Sequence, residues 1–177
     1  MPQLLGEYDC KIDAKGRLRM PSGLLKQLGE SETYTFVINR GFEKCLMLYP
    51  EEVWNKITKE IDQLNIFDEK KRQFVRYFYR GAITVNTDSQ ERILFPKRLK
   101  EYAALTKAVV LFAYKDRVEV WDADAYEEQL NNEPEDFSSL AQQVMTKKEE
   151  QKVDLDIKVS SEPVSYTHLT LPTTPYV

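Results

Sequence analysis

The sequence predicts an α+β chain made by tandem duplication, and three observations carry that prediction. First, the stretch Asp13-Ala14-Lys15-Gly16-Arg17-Leu18-Arg19-Met20-Pro21 recurs in degraded form as Asp88-Ser89-Gln90-Glu91-Arg92-Ile93-Leu94-Phe95-Pro96. Asp, Arg, two apolar residues and the closing Pro keep their spacing, 75 residues later (96 − 21). Second, the flanks agree, since Gly6 and Gly81 stand at that same offset before each copy. Third, each copy is followed by the same order of helical and strand-like periodicities. A repeat found only twice points to two half-domains packed together rather than to a solenoid.

Leu5 to Ile12 alternates, with Tyr8, Cys10 and Ile12 on one face, as a half-buried strand does. The motif then turns the chain: Asp13 is suited to bond backbone amides two residues on, and Gly16 supplies a positive φ. Leu18 to Met20 resumes an extended path, and Pro21 opens a short helix through Leu24, Leu25 and Leu28 that Gly29 caps. Tyr34 to Asn39 and Cys45 to Tyr49 read as a hairpin turning at residues 40–44. Pro50-Glu51-Glu52 starts a helix whose stripe is Val53, Trp54, Ile57, Ile61 and Leu64. Asp68 is a natural N-cap for a second helix to about Tyr79, with Phe74, Val75 and Phe78 inward.

The second copy repeats the plan: strand Ile83 to Thr87, loop, helix Pro96 to Tyr102, strand Ala108 to Ala113, a turn at residues 114–117, and strand Val118 to Trp121. Asp122 then caps a helix that buries Tyr126 and Leu130. Tyr49 matches Trp121 and Trp54 matches Tyr126, now 72 residues apart (121 − 49), so three residues are lost from intervening loops. Phe137, Leu140, Ala141 and Val144 suggest one more helix behind Asp136. The domain plan is 1–66 as first half, 67–80 as connecting helix, 81–145 as second half and 146–162 as a charged, solvated tail. Residues 163–177 resemble the translation of a sequencing adapter and are set apart from the fold.

With 177 residues, 42% of them hydrophobic, the chain can build a buried core. No run of about 20 apolar residues suggests a membrane span, and Met1-Pro2-Gln3-Leu4-Leu5 lacks the layout of a secretory signal, so a cytoplasmic location is expected. Catalysis finds little support. The one histidine, His168, lies in the set-apart segment. Cys10 and Cys45 sit in strand-like runs with no metal-ligand spacing and read as small core residues. No phosphate-cradling glycine loop is present, and the carboxylates of residues 51–62 and 127–135 are interspersed as on solvated helix faces. No enzyme, cofactor, metal or small-molecule substrate is expected.

The net charge of −4 argues mildly against nucleic acid, but its distribution argues the other way. Lys11, Lys15, Arg17, Arg19 and Lys26 fall within 16 residues whose one acid is Asp13. An arginine fork fits phosphate oxygens or the O6/N7 edge of guanine, and lysine adds a point charge. Arg17 could instead pair with Asp13 and staple the loop. Stapling needs one cation, and the loop carries several.

The duplicated Asp-x-x-x-Arg loops, each followed by strand residues, a Pro and a short Leu-bearing helix, resemble the MraZ family of the AbrB/SpoVT-like swapped-hairpin superfamily. The likeness runs to about Val144. It implies a double-split β-α-β barrel with flanking helices. It also implies a bacterial, cytoplasmic and nucleoid-associated DNA-binding repressor of the division and cell-wall gene cluster, bound to promoter direct repeats as a ring homo-oligomer. Carried over by position, Lys15, Arg17 and Arg92 face double-stranded DNA, joined by neighbouring Arg19 and Lys11, while Asp13, Gly16 and Asp88 organise the loops. The second loop departs from the pattern: Gln90-Glu91 replaces Lys15-Gly16, adding a negative charge and a residue that resists positive φ. The expectation is that the first loop carries most of the affinity. The alternative is an oligomeric scaffold that has lost DNA recognition.

Overall fold

A computed structural model describes residues 3–132 and 136–146. Residues 3–131 form one compact unit of eight strands and five helices. The elements run β1 (Leu4–Lys11), β2 (Arg17–Arg19), α1 (Ser22–Gln27), β3 (Thr35–Arg40), β4 (Leu46–Pro50), α2 (Glu51–Ile61), α3 (Glu69–Tyr79), β5 (Ile83–Asn86), β6 (Arg92–Leu94), α4 (Lys97–Tyr102), β7 (Ala108–Lys115), β8 (Arg117–Asp122) and α5 (Ala123–Asn131). The charged tail and the set-apart segment, with His168, lie outside the described residues apart from Thr146.

The repeats exchange strands. Six strands form one antiparallel sheet in the order β1-β7-β8-β4-β3-β5, while β2 and β6 form a separate two-stranded ribbon. β1 of the first repeat pairs with β7 of the second, and β5 of the second pairs with β3 of the first. The two hairpins meet at β4 and β8, where Leu46 faces Val120 and Leu48 faces Val118. In the ribbon Arg17 faces Leu94, Leu18 faces Ile93 and Arg19 faces Arg92. The two repeats thus build one sheet between them, in which β1 and β5 are the outer edges.

Two cores follow from the alternation of side chains across the sheet. On one face Phe36, Ile38, Leu46, Leu48, Val109, Leu111, Val118 and Val120 pack under the ribbon's Leu18 and Ile93 and the helices' Leu24, Leu25 and Leu99. On the other, Cys45, Met47, Tyr49, Val110 and Trp121 pack against Val53 and Tyr126, with Trp54 and Ile57 at the margin. The matched aromatic pairs recur, with Tyr49 and Trp54 rings 5.6 Å apart and Trp121 and Tyr126 rings 6.3 Å apart. Burial pushes the thiols up, to about 11 at Cys10 and about 12 at Cys45, so neither is a ready nucleophile at neutral pH.

The register locates the three lost residues. Phe36 and Val109 occupy matching ladder positions opposite Val85 and Cys10, so the offset has already fallen to 73 (109 − 36) at β3 and β7. Two residues are lost before these strands and the third within the hairpin turn, where Lys115, the last residue of β7, takes φ 58° and Asp116 alone joins it to β8. Asp122 sits where its carboxylate accepts from the Thr106 N–H at 2.9 Å and from the Thr106 hydroxyl. It thereby ties the shortened loop to the start of α5.

Three expectations are corrected and a fourth holds. Leu64 lies beyond α2, which ends at Ile61. No residue of α3 is buried, and Phe74 is 46% exposed. The helix is held instead by Asp68 capping Lys70, by Phe78 stacking on Trp54 at 5.4 Å, and by Asn39 donating to the Phe78 carbonyl at 2.7 Å. Leu130 is exposed because α5 docks through Tyr126, whose hydroxyl donates to Glu7 at 2.6 Å. A helix over residues 137–146 does follow Asp136, which accepts from the Ser139 N–H, but Phe137, Leu140 and Val144 are exposed on it.

Neighbouring ribbon residues test this layering. Ile93→Ala empties a site with no exposure and is expected to lower unfolding stability in urea by about 3 kcal/mol. Leu94→Ala, more than half exposed, is expected to stay within about 0.5 kcal/mol at the same protein concentration.

Candidate nucleic-acid interface

Each motif loop is organised by its aspartate. Asp13 Oδ1 accepts from the N–H groups of Lys15 (3.0 Å) and Arg17 (2.9 Å), while Oδ2 accepts from Arg17 Nε at 2.8 Å. Two backbone bonds, Gly16 N–H to the Asp13 carbonyl and Asp13 N–H to the Arg17 carbonyl, close the turn. The second loop repeats this bond for bond. Asp88 Oδ1 accepts from Gln90 and Arg92, Oδ2 accepts from Arg92 Nε at 2.8 Å, and Glu91 N–H reaches the Asp88 carbonyl at 3.0 Å. The expected resistance of Glu91 to positive φ does not distort the loop: Glu91 adopts φ 61°, against 83° at Gly16. The side-chain bonds from Asp88 fix the backbone and outweigh the left-handed cost of about 1–2 kcal/mol.

The loops are locked to each other through the ribbon. The Gly16 carbonyl accepts from Phe95 N–H and the Glu91 carbonyl from Met20 N–H, both at 2.9 Å. Because β2 and β6 are antiparallel, the loops lie at opposite ends of the ribbon. Leu18 and Ile93 point into the core, so Arg17, Arg19, Arg92 and Leu94 share the outer face, with Arg19 directly across from Arg92. Arg17 and Arg92 each engage their aspartate through Nε alone. The stapling pair and a free guanidinium fork therefore coexist in one side chain, the Nη atoms having no hydrogen-bond partner among the described residues.

Of the residues singled out in the sequence, Arg17, Arg19 and Arg92 are brought to this face, and Lys15 is exposed in the loop that precedes Arg17. Lys11 lies at the end of β1 and lines a concavity with Arg19 and Glu91 beside the second loop. Sequence reasoning missed Lys100 and Lys107. They line a concavity of about 380 Å³ with Asp13 and Ala14 beside the first loop, and Lys100 Nζ would stand 2.9 Å from a Cβ placed on Gly16. No local signal could find them, because they reach the first loop across the strand exchange. The first loop is thus flanked by extra lysines, whereas the concavity beside the second also contains Glu7 and Asp9.

Backbone N–H donation from Arg17 and Arg92, followed by the other loop bonds, holds the Asp13 and Asp88 carboxyls below their ordinary value of 3.8. A lowered folded-state pKa contributes stability above the unfolded value and loses it as pH falls through the folded one. The difference in urea midpoint between the wild type and a D13N/D88N variant is therefore expected to be full above about pH 5 and to close progressively below pH 4. A pH-independent difference would contradict the assignment.

Among the described residues no helix is long and apolar enough to cross a membrane, and no group of His, Cys, Asp and Glu is placed to hold a metal ion. Comparison with known proteins bears on the same loops. The family described as "MraZ protein, putative antitoxin-like" matches twice, over residues 3–77 and 78–148. The transcriptional regulator MraZ of Christiangramia forsetii is 45% identical over 146 residues, covering 82% of this chain and 94% of that protein. Those of Flavobacterium psychrophilum and Cytophaga hutchinsonii are 40% and 39% identical over 146 residues each, covering 82% and 81% of this chain and 93% and 97% of theirs. These relatives carry the name of a regulator, not of an enzyme. With two family matches spanning both motif loops and all thirteen elements, the chain belongs to the MraZ family.

Proposed function

We propose that the chain is a sequence-specific DNA-binding transcriptional regulator, a repressor of a division and cell-wall gene cluster, acting in the cytoplasm at the nucleoid as a ring homo-oligomer on promoter direct repeats. The observation that carries the DNA reading is the outer face of the β2–β6 ribbon. Three arginines lie there on three-residue strands, with Lys15 in the loop at one end and Arg17 and Arg92 paired to the loop-organising aspartates. A major groove about 12 Å wide admits a two-stranded ribbon, and free guanidinium ends suit phosphate or guanine edges. The names of the relatives support transcription as the setting.

The fold reading goes with it. The exchanged strands support two AbrB/SpoVT-like halves, 1–66 and 81–145 joined through 67–80, as a double-split β-α-β barrel. Self-assembly is supported by apolar surface away from the ribbon, where Phe42 is 95% and Tyr77 71% exposed in one lining with Phe74 and Phe78. A ring also answers the net charge of −4, because several basic loops meeting successive repeats gain effective concentration without more charge per subunit.

Within this reading the first loop carries most of the affinity, since its flank adds lysines while the second places Glu91 toward phosphate. In a mobility-shift titration of the full chain against DNA from upstream of its own gene, Lys15→Ala/Arg17→Ala/Arg19→Ala is expected to lower affinity by about 100-fold or more, and Arg92→Ala by less than about tenfold. Equal losses would refute the ranking. Absence of binding by the assembled wild-type chain would move the account to the scaffold reading, and binding unchanged by all four substitutions would remove the ribbon from the interface. Wild-type affinity is expected to fall steeply and linearly with salt on logarithmic axes.

A further inference from the structure

Outside the ribbon, a concavity of about 760 Å³ lies between α4, the end of β3 and the start of β5. Arg40, Arg80, Lys97 and Arg98 line it, with Glu101 as its one carboxylate. Glu101 stands 3.9 Å from Lys97, while Arg40, Arg80 and Arg98 make no ion pair among the described residues. Arg40 is set in place rather than left loose. Its guanidinium carbon lies 4.6 Å from the centre of the Tyr102 ring, and the Tyr102 hydroxyl donates to the Gly41 carbonyl at 3.0 Å. Arg40 Nε is the one buried side-chain nitrogen or oxygen among the described residues without a hydrogen-bond partner. Gly81, at φ 80°, lets the start of β5 pass close to it, for a Cβ there would stand 3.5 Å from Arg40 Nε. Four cations gathered around one concavity against a single carboxylate favour an anion there.

The pseudo-symmetry sharpens the point. At the equivalent positions of the first repeat stand Leu5, Ser22 and Gly23 in place of Arg80, Lys97 and Arg98, and there Gln27 bonds the Leu5 backbone. The basic concavity thus belongs to one half of the molecule. It also adjoins the first loop: Lys97 follows Leu94 by three residues, and Lys100 of the same helix reaches Gly16. Cations therefore continue from Lys15 and Arg17 through Lys100 to Lys97, Arg98 and Arg80.

We propose that the concavity lined by Arg40, Arg80, Lys97 and Arg98 is a phosphate site that takes a DNA backbone phosphate outside the stretch held by the first loop. This rests on the DNA-binding reading and deepens it. A contact of this kind positions the protein and reads no base. Its loss therefore weakens binding alike on operator and unrelated DNA, and lowers the salt dependence by about one unit per cation removed.

The test is a titration of the full chain and an R80Q/R98Q variant with upstream DNA and with unrelated duplex of equal length, between 50 and 200 mM salt. Both arginines are exposed and unpaired, and an unchanged urea midpoint checks that the variant folds. The variant is expected to bind both duplexes more weakly, with a salt slope smaller by roughly 2, so that the wild type loses about tenfold more affinity across that salt range. R80K/R98K is expected to restore most of the slope, because a lysine still supplies a point charge to phosphate. An unchanged slope in R80Q/R98Q, with wild-type binding intact and Lys15→Ala/Arg17→Ala defective, overturns the phosphate site and leaves the loop reading standing. A wild type that binds neither duplex overturns both.

Discussion

The exchange of strands between the two repeats is the constraint on which the rest of the structure depends. Neither repeat closes its own sheet: β1 needs β7, β5 needs β3, and each three-residue ribbon strand needs the other. A ribbon this short has little stability of its own. It is held because Leu18 and Ile93 face each other with no exposure over the sheet, and because each loop's positive-φ residue accepts a hydrogen bond from the other repeat. Register and function are then one problem. A one-residue slip would turn Leu18 and Ile93 outward and bury Arg17, Arg19 and Arg92, which the core forbids.

From this follows the division of labour between faces. The ribbon, α1 and α4 cover one side of the sheet and carry the basic loops. Helices α2 and α5 cover the other, with α3 held at the margin by aromatic stacking. Symmetry in the backbone is close, since the two loops share every organising bond, but charge does not follow it. Lys100, Lys107, Lys97, Arg98 and Arg80 gather on the first-loop side, while Glu7, Asp9 and Glu91 gather near the second. One scaffold thus presents two loops of like shape and unlike potential.

Much of this was legible in the chain. The repeated Asp-x-x-x-Arg, the Gly6 and Gly81 pair and the Asp68 cap are local signals with a local physical cause, and the elements they mark form where expected. What was not legible is non-local. Which repeat donates each strand edge, and the arrival of Lys100 beside Gly16, depend on pairings across some 80 residues. Glu91 shows the complementary error: its side chain alone disfavours positive φ, but the Asp88 carboxylate sets the backbone of the whole loop. Phe74 and Leu130 fit helical stripes yet stay exposed, since a periodic stripe marks an apolar face and not what covers it.

The central claim, that the ribbon layer meets DNA, is tested most directly by amide hydrogen exchange of the full chain with and without DNA from upstream of its gene. The account predicts added protection at residues 13–20 and 88–98 and at the Arg40 and Arg80 segments beside them, strongest in the first loop, with the amides of α2 and α5 unchanged. Protection on α2 and α5 with both loops unaffected would contradict it.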